Sequence, residues 1–109
     1  MPYTLRLDGV PSGEAPPVVL LPGAHDLLAD AIMRAGKGQR CLRRLVDPAG
    51  TAAWTADEAR WVRFHELDAL AASLAEEERA GLEDTLERLR VILDEACRRE
   101  SGITGRGDG

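Results

Sequence analysis

Two histidines, two cysteines and an excess of acidic residues are the groups through which this 109-residue chain could act on another molecule. His25, Cys41, His65 and Cys97 all have ligand chemistry for zinc. Structural zinc sites, however, pair their ligands at short spacing, and these four are scattered along the chain. No metal and no cofactor is expected. A cysteine and a histidine can also meet only in the fold, as nucleophile and base. Nothing local in the sequence builds such a dyad. His65 follows Trp61 by four residues, which on a helix places it beside the indole as an edge residue. His25 precedes Asp26, a natural helix cap, where exposed polar residues are common.

Two short motifs invite a ligand and fail on their own terms. "AGKGQR" (35–40) has Lys37 followed by Gly38, and lacks the upstream glycine and the Ser or Thr that a GxxxxGK[ST] phosphate loop requires. It reads as a helix end with glycine caps and a basic turn. "RGD" at Arg106–Asp108 resembles an adhesion tripeptide and is taken as chance.

Charge layout is the feature that stands out. Positive charge is carried by thirteen arginines and Lys37, and the net charge is −5. Residues 34–44 hold Arg34, Lys37, Arg40, Arg43 and Arg44 with no acid, a balance of +5. Residues 66–95 hold ten acids against Arg79, Arg88 and Arg90, a balance of −7. Charge runs usually mark solvated faces, and the two segments can pair with each other. As a functional surface, either would steer a partner of opposite charge. The expected contact residues are Glu76, Glu77, Glu78, Glu83, Asp84 and Glu87 on the acidic side, with Arg40, Arg43 and Arg44 on the basic side. Nucleic acid is disfavoured as partner, because the whole chain is acidic and the basic stretch has no aromatic residue for base stacking.

The expected function is therefore binding of another protein without catalysis, most concretely as an acidic inhibitor or immunity-type partner of a basic surface. Two alternatives stand beside it. One is a helical homodimer with a structural role. The other is a small acid/base enzyme using His65 or His25 with Glu66 or Asp26.

The elements that must position these residues are partly legible. A composition 44% hydrophobic and 30% charged is that of a soluble globular chain large enough for a core. No basic segment followed by an apolar run opens the sequence, and no stretch reaches the roughly 18 apolar residues of a membrane span, so a cytoplasmic protein is expected. Cys41 and Cys97 are expected reduced and mostly buried.

"YTLRL" (3–7) alternates as a half-buried strand, and "VPSGEAPP" (10–17) reads as a loop. Leu27, Leu28, Ala31, Ile32 and Ala35 fall at helical spacing, with Asp26 as N-cap and Gly36 as a left-handed C-terminal residue. "CLRRLV" (41–46) reads as a strand, "DPAG" (47–50) as a type I turn, and Thr51–Trp54 as the returning arm of a hairpin. Thr55 and Glu58 form a capping box, so a helix begins there, with Trp61, Phe64, Leu67 or Asp68, Ala71 and Leu74 on its apolar face. Trp54 and Trp61 are both expected in or near the core.

Ser73 and Glu76 form a second box, leaving open whether residues 56–99 make one helix or two. Leu82, Leu86, Leu89, Leu93 and Ala96 are the strongest periodicity in the chain. Asp84–Arg88, Asp94–Arg98 and Glu95–Arg99 lace the outer face. "SGITGRGDG" (101–109) reads as a glycine-rich tail to a single domain of residues 1–100. The expected fold is α+β: a small sheet from the N-terminal half packed on two or three amphipathic helices, the C-terminal ones longest.

Overall fold

A computed structural model describes residues 2–10, 13–14, 16–36, 39–47 and 50–107. The alternation at the N-terminus becomes strand β1 (Tyr3–Leu7), with Tyr3, Leu5 and Leu7 buried. Gly9, at φ +70°, takes the turn that a side chain would resist. The apolar run that follows the loop is strand β2 (Val18–Leu20), antiparallel to β1. Strand β3 (Thr51–Trp54) follows the "DPAG" segment, where the Gly50 amide donates to the Asp47 carbonyl at 3.2 Å. The turn's central Pro48 and Ala49 lie outside the described residues, as do Lys37, Gly38 and Asp108 of the other two motifs.

Two expectations about strands are corrected. Residues 103–107 are no tail: Ile103–Gly107 is strand β4, an inner strand, and the sheet runs β2-β1-β4-β3 with every pair antiparallel. Two of the glycines that suggested a tail, Gly102 and Gly105, sit where another part of the chain approaches the backbone closely. A Cβ at Gly105 would lie 2.5 Å from Leu5 Cδ2 and 2.6 Å from Tyr3 Cε1, and one at Gly102 would lie 2.5 Å from the Trp54 carbonyl oxygen. "CLRRLV" is no strand either, since Leu42–Leu45 winds into one 3₁₀ turn. Positions i and i+3 eclipse in that geometry, so Leu42 and Leu45 both reach the core while Arg43 and Arg44 face water. β3 therefore pairs with β4 and forms no hairpin with the preceding segment.

Helix α1 (Pro22–Ala35) begins earlier than Asp26, with Leu21 at the N-cap and Pro22 pre-set for the first helical position. It ends at Gly36, whose φ is +77° as expected although its ψ of −137° lies away from the left-handed helical basin. The Thr55 capping box forms in both directions, at 3.2 Å to the Glu58 amide and 3.1 Å from the Thr55 amide to Glu58. From it run α2 (Ala56–Trp61), a π turn at Val62–Glu66 and α3 (Leu67–Ser73).

The chain then breaks. Leu74 and Ala75 are extended, and α4 (Glu76–Arg99) starts afresh, so residues 56–99 hold two helical rods and not one. Ser73 does not cap α4: its hydroxyl donates to the Leu70 carbonyl at 2.7 Å, and Glu78 instead accepts from the Ala75 amide at 3.3 Å. Glu100, left-handed at φ 51° and ψ 44°, closes α4 with Ser101 returning its amide to Ala96 at 2.9 Å, a Schellman end that sends the chain into β4.

The leucine stripe is buried as expected, with Leu82, Leu86, Leu89 and Leu93 at 5% exposure or less. These leucines are spent on the chain's own core, against α1, α2, α3 and the sheet. Asp84–Arg88 (2.9 Å) and Glu95–Arg99 (2.6 Å) pair as read, whereas Asp94 turns to Arg63 (2.6 Å) and Arg98 to Glu95. Alternating burial along β1, β3 and β4 puts the core on one face of the sheet and leaves Thr4, Arg6, Thr51, Ala53, Thr104 and Arg106 on the other. Among the described residues no helix is long and apolar enough to cross a membrane.

Candidate functional site

The rod α2–π–α3 buries Ala59, Val62, Glu66, Leu67 and Leu70 and turns its largest aromatics outward. Trp61 is 52% exposed and Phe64 56%, contrary to the expected apolar face. The reason is close approach: α2 packs on α4 through the small, fully buried Ala59, and that phase carries Trp61 and Phe64 to the opposite side. Trp54 does reach the core, where its indole N–H donates to the Cys41 carbonyl at 2.9 Å.

Outward does not mean loose. The Trp61 and His65 rings stack at 4.1 Å and 27°, which bears out the edge reading of His65. The Arg63 guanidinium lies 5.4 Å from the Phe64 ring and is itself held by Asp94 at 2.6 Å and Asp68 at 3.5 Å. Trp61 and Phe64 are thus both exposed, Trp61 against the His65 ring and Phe64 beside the Arg63 guanidinium, at the point where the helix widens into a π turn. Such widenings recur at functional sites. Restrained aromatics lose little entropy when a partner covers them.

Glu66, last in the π turn, is 1% exposed and serves the scaffold. Its Oε1 accepts the Cys41 amide at 2.8 Å and the Leu42 amide at 3.1 Å, capping the 3₁₀ turn from 24 residues away. Gln39 donates its side-chain amide to the Glu66 carbonyl at 3.1 Å. Burial, and then the neighbouring Glu66, push the Cys41 thiol up to about 11, so it is protonated at neutral pH and a poor nucleophile. Both cysteines are free, Cys41 buried and Cys97 half-buried.

His25 is no exposed cap residue. It is 2% exposed inside α1, bonded through Nε2 to the Leu45 carbonyl and met edge-on by Tyr3 at 4.8 Å. The early start of α1 causes this, because Pro22 as first residue places position 25 on the inward face with Leu28 and Ile32. Among the described residues no hydrogen bond joins either histidine to a carboxylate, and no three His, Cys, Asp or Glu side chains cluster as metal ligands.

The predicted charged contacts divide. Glu78 pairs with Arg34, which holds its carboxyl below the usual range, and Asp84 and Glu87 pair with Arg88 and Arg90. Arg44 pairs with Glu58 at 2.6 Å and donates to the Ala53 carbonyl at 2.8 Å. Glu76, Glu77, Glu83, Arg40 and Arg43 are exposed and make no ion pair among the described residues. The structure therefore leaves three acids without an ion pair among the described residues on the N-terminal half of α4, and a separate aromatic surface on α2 and the π turn. Sequence reading missed the second because hydrophobicity alone assigned Trp61 and Phe64 to the core. Comparison with protein-family models, with curated proteins and with solved structures gives no match.

Proposed function

We propose that the protein binds another protein, without catalysis of its own, through the surface made by Trp61, Phe64 and His65. The observation that carries this reading is the exposure of two large aromatic side chains three residues apart on one helical rod, each beside a polar neighbour. Large aromatics and arginine dominate the energetics of protein interfaces, and a central one typically contributes 2 kcal/mol or more on truncation. The acids Glu76, Glu77 and Glu83 and the net charge of −5 add a long-range field that favours a basic partner and speeds encounter. An inhibitor or immunity-type protein that covers a basic surface is the most concrete form.

The test is capture from extract of the native host by the wild-type chain, by Trp61→Ala/Phe64→Ala and by Glu76→Gln/Glu77→Gln/Glu83→Gln, at low and high salt. The aromatic variant is expected to lose the partner at both salt concentrations. The glutamine variant is expected to weaken capture chiefly at low salt, where screening is least. A partner held equally by the folded aromatic variant refutes the reading, as does a wild-type chain that captures nothing above background.

A further inference from the structure

The rod from α2 to α3 carries opposite charges on either side of its exposed aromatics. Arg60, Phe64 and Asp68 are all exposed and stand four residues apart. Four residues are a little more than one α turn and a little less than one π turn, so across the junction the three positions keep to one side of the rod. A cation, an aromatic ring and an anion thus follow one another along it. Arg60 makes no ion pair among the described residues. Asp68 reaches Arg63 only at 3.5 Å, while Asp94 holds that same Arg63 at 2.6 Å. Asp68 is the more loosely engaged of the two acids and is open to a second cation.

We infer that, until its partner arrives, this surface is covered by a second copy of the chain, the two rods lying antiparallel about a two-fold axis at Phe64. The inference rests on the reading of Trp61, Phe64 and His65 as a protein-binding face. A two-fold interface uses the same patch on both sides, so residue i meets residue j wherever j meets i. With Phe64 against Phe64, the antiparallel register sets Arg60 of each copy against Asp68 of the other. Asp57 comes opposite Ala71, so no acid meets an acid. Parallel rods would set Arg60 on Arg60 and Asp68 on Asp68, and like charges in contact are costly. The order of charges along the rod therefore selects one orientation of one occupant, the chain itself.

Such a dimer is weak enough to be displaced. From Ala56 to Ser73 the rod is about 25 Å long, and one helix face of that length covers much less than the roughly 800 Å² per partner of a standard interface. The net charge of −5 on each copy also opposes association. With a radius of gyration of 12.7 Å, however, the two centres stand about three screening lengths apart at physiological ionic strength, and most of that repulsion is lost. Charges in direct contact keep their attraction. A basic partner, favoured by the field that opposes the second copy, takes its place.

The experiment is sedimentation equilibrium of the full chain from low to high micromolar concentration at physiological salt, with circular dichroism to confirm folding. Wild type is expected to pass from monomer to dimer within that range, and Trp61→Ala/Phe64→Ala to remain a monomer. Arg60→Glu and Asp68→Lys each set like charges against each other and should weaken the dimer at least about tenfold. The double variant Arg60→Glu/Asp68→Lys restores opposite charges and should dimerise as wild type does. An equimolar mixture of the two single variants should form a heterodimer although neither associates alone. If Asp68→Lys fails to fold beside Arg63, Asp68→Asn takes its place in the mixture, which should still associate more than either variant alone.

The inference is overturned if wild type stays monomeric throughout, if the aromatic variant or either single variant dimerises as wild type does, or if the mixture forms no heterodimer. A monomeric wild type that still captures a partner through Trp61 and Phe64 overturns the dimer and leaves the reading of the surface intact. A dimer that follows the charge exchange, in a chain that captures nothing else, upholds the dimer and refutes that reading.

Discussion

Replacing Gly105 by alanine adds a single methyl group to the protein at the centre of the sheet. That carbon would lie 2.5 Å from Leu5 Cδ2, 2.6 Å from Tyr3 Cε1 and 3.0 Å from the Tyr3 hydroxyl. Carbon atoms rest about 3.5–4 Å apart, so both neighbours must retreat by roughly 1 Å. Neither has room. Leu5 and Tyr3 are 0% exposed, and the Tyr3 ring is already edge-on to His25 in α1. Overpacking of this kind costs about 1–3 kcal/mol, and two simultaneous overlaps place Gly105→Ala at the upper end, about 3 kcal/mol. None of it is backbone strain, since Gly105 is not among the glycines at positive φ.

Urea unfolding followed by tryptophan fluorescence measures the loss, and the thermal midpoint should fall by about 10 °C or more. Gly23→Ala is the control, because a Cβ there meets nothing within 4 Å and the helix should gain up to about 1 kcal/mol. Wild-type stability in Gly105→Ala would refute the packing argument. A chain ending at Glu100 that still melts cooperatively at the wild-type temperature would return residues 101–109 to the status of a tail.

Thr55→Ala removes a formed N-cap and should cost about 1 kcal/mol in the same assay; an unchanged midpoint would mean the box adds nothing. Leu89→Ala empties a fully enclosed site in α4 and should cost about 2–5 kcal/mol, against less than that if the stripe were exposed. Ellman's reagent at neutral pH should find one reactive thiol in the native protein, Cys97, and two after denaturation; two in the native state would contradict the burial of Cys41. Arg44, followed by the Thr55 amide, holds the Glu58 carboxyl at about 2 against an ordinary 4.5. Because this folded value is the lower one, its stabilisation is present above pH 4.5 and is lost as the pH falls toward 2. Arg44→Gln should therefore show a shallower loss of stability across that window, and equal slopes for the two chains would count against the pair.

Strand β1, the Thr55 cap and the leucine stripe of α4 are legible in the sequence because each is encoded within a few residues. Alternation, a side chain reaching three positions along, and a period near 3.6 all need no knowledge of the rest of the chain. The charge asymmetry is likewise a property of composition. Which side of a helix is buried is not. Ala59 faces the core and Trp61 and Phe64 face water because α4 comes close enough to select a small residue. Hydrophobicity alone ranks them the other way.

The remaining features needed the tertiary structure, since their partners are distant in sequence. β4 joins β1 from nearly a hundred residues away, and its Gly105 is required by Tyr3 and Leu5 rather than by any turn. Glu66 caps a turn that begins at Cys41, and His25 reaches the Leu45 carbonyl. The same long-range register puts Arg6 and Arg106 on adjacent strands of one exposed face, two residues that in the sequence stand at opposite ends of the chain. Local rules determine which segments wind or extend. Only the packing of those segments against one another determines which side chains meet, because the free energy that selects a face or a register comes from contacts the segment cannot make alone.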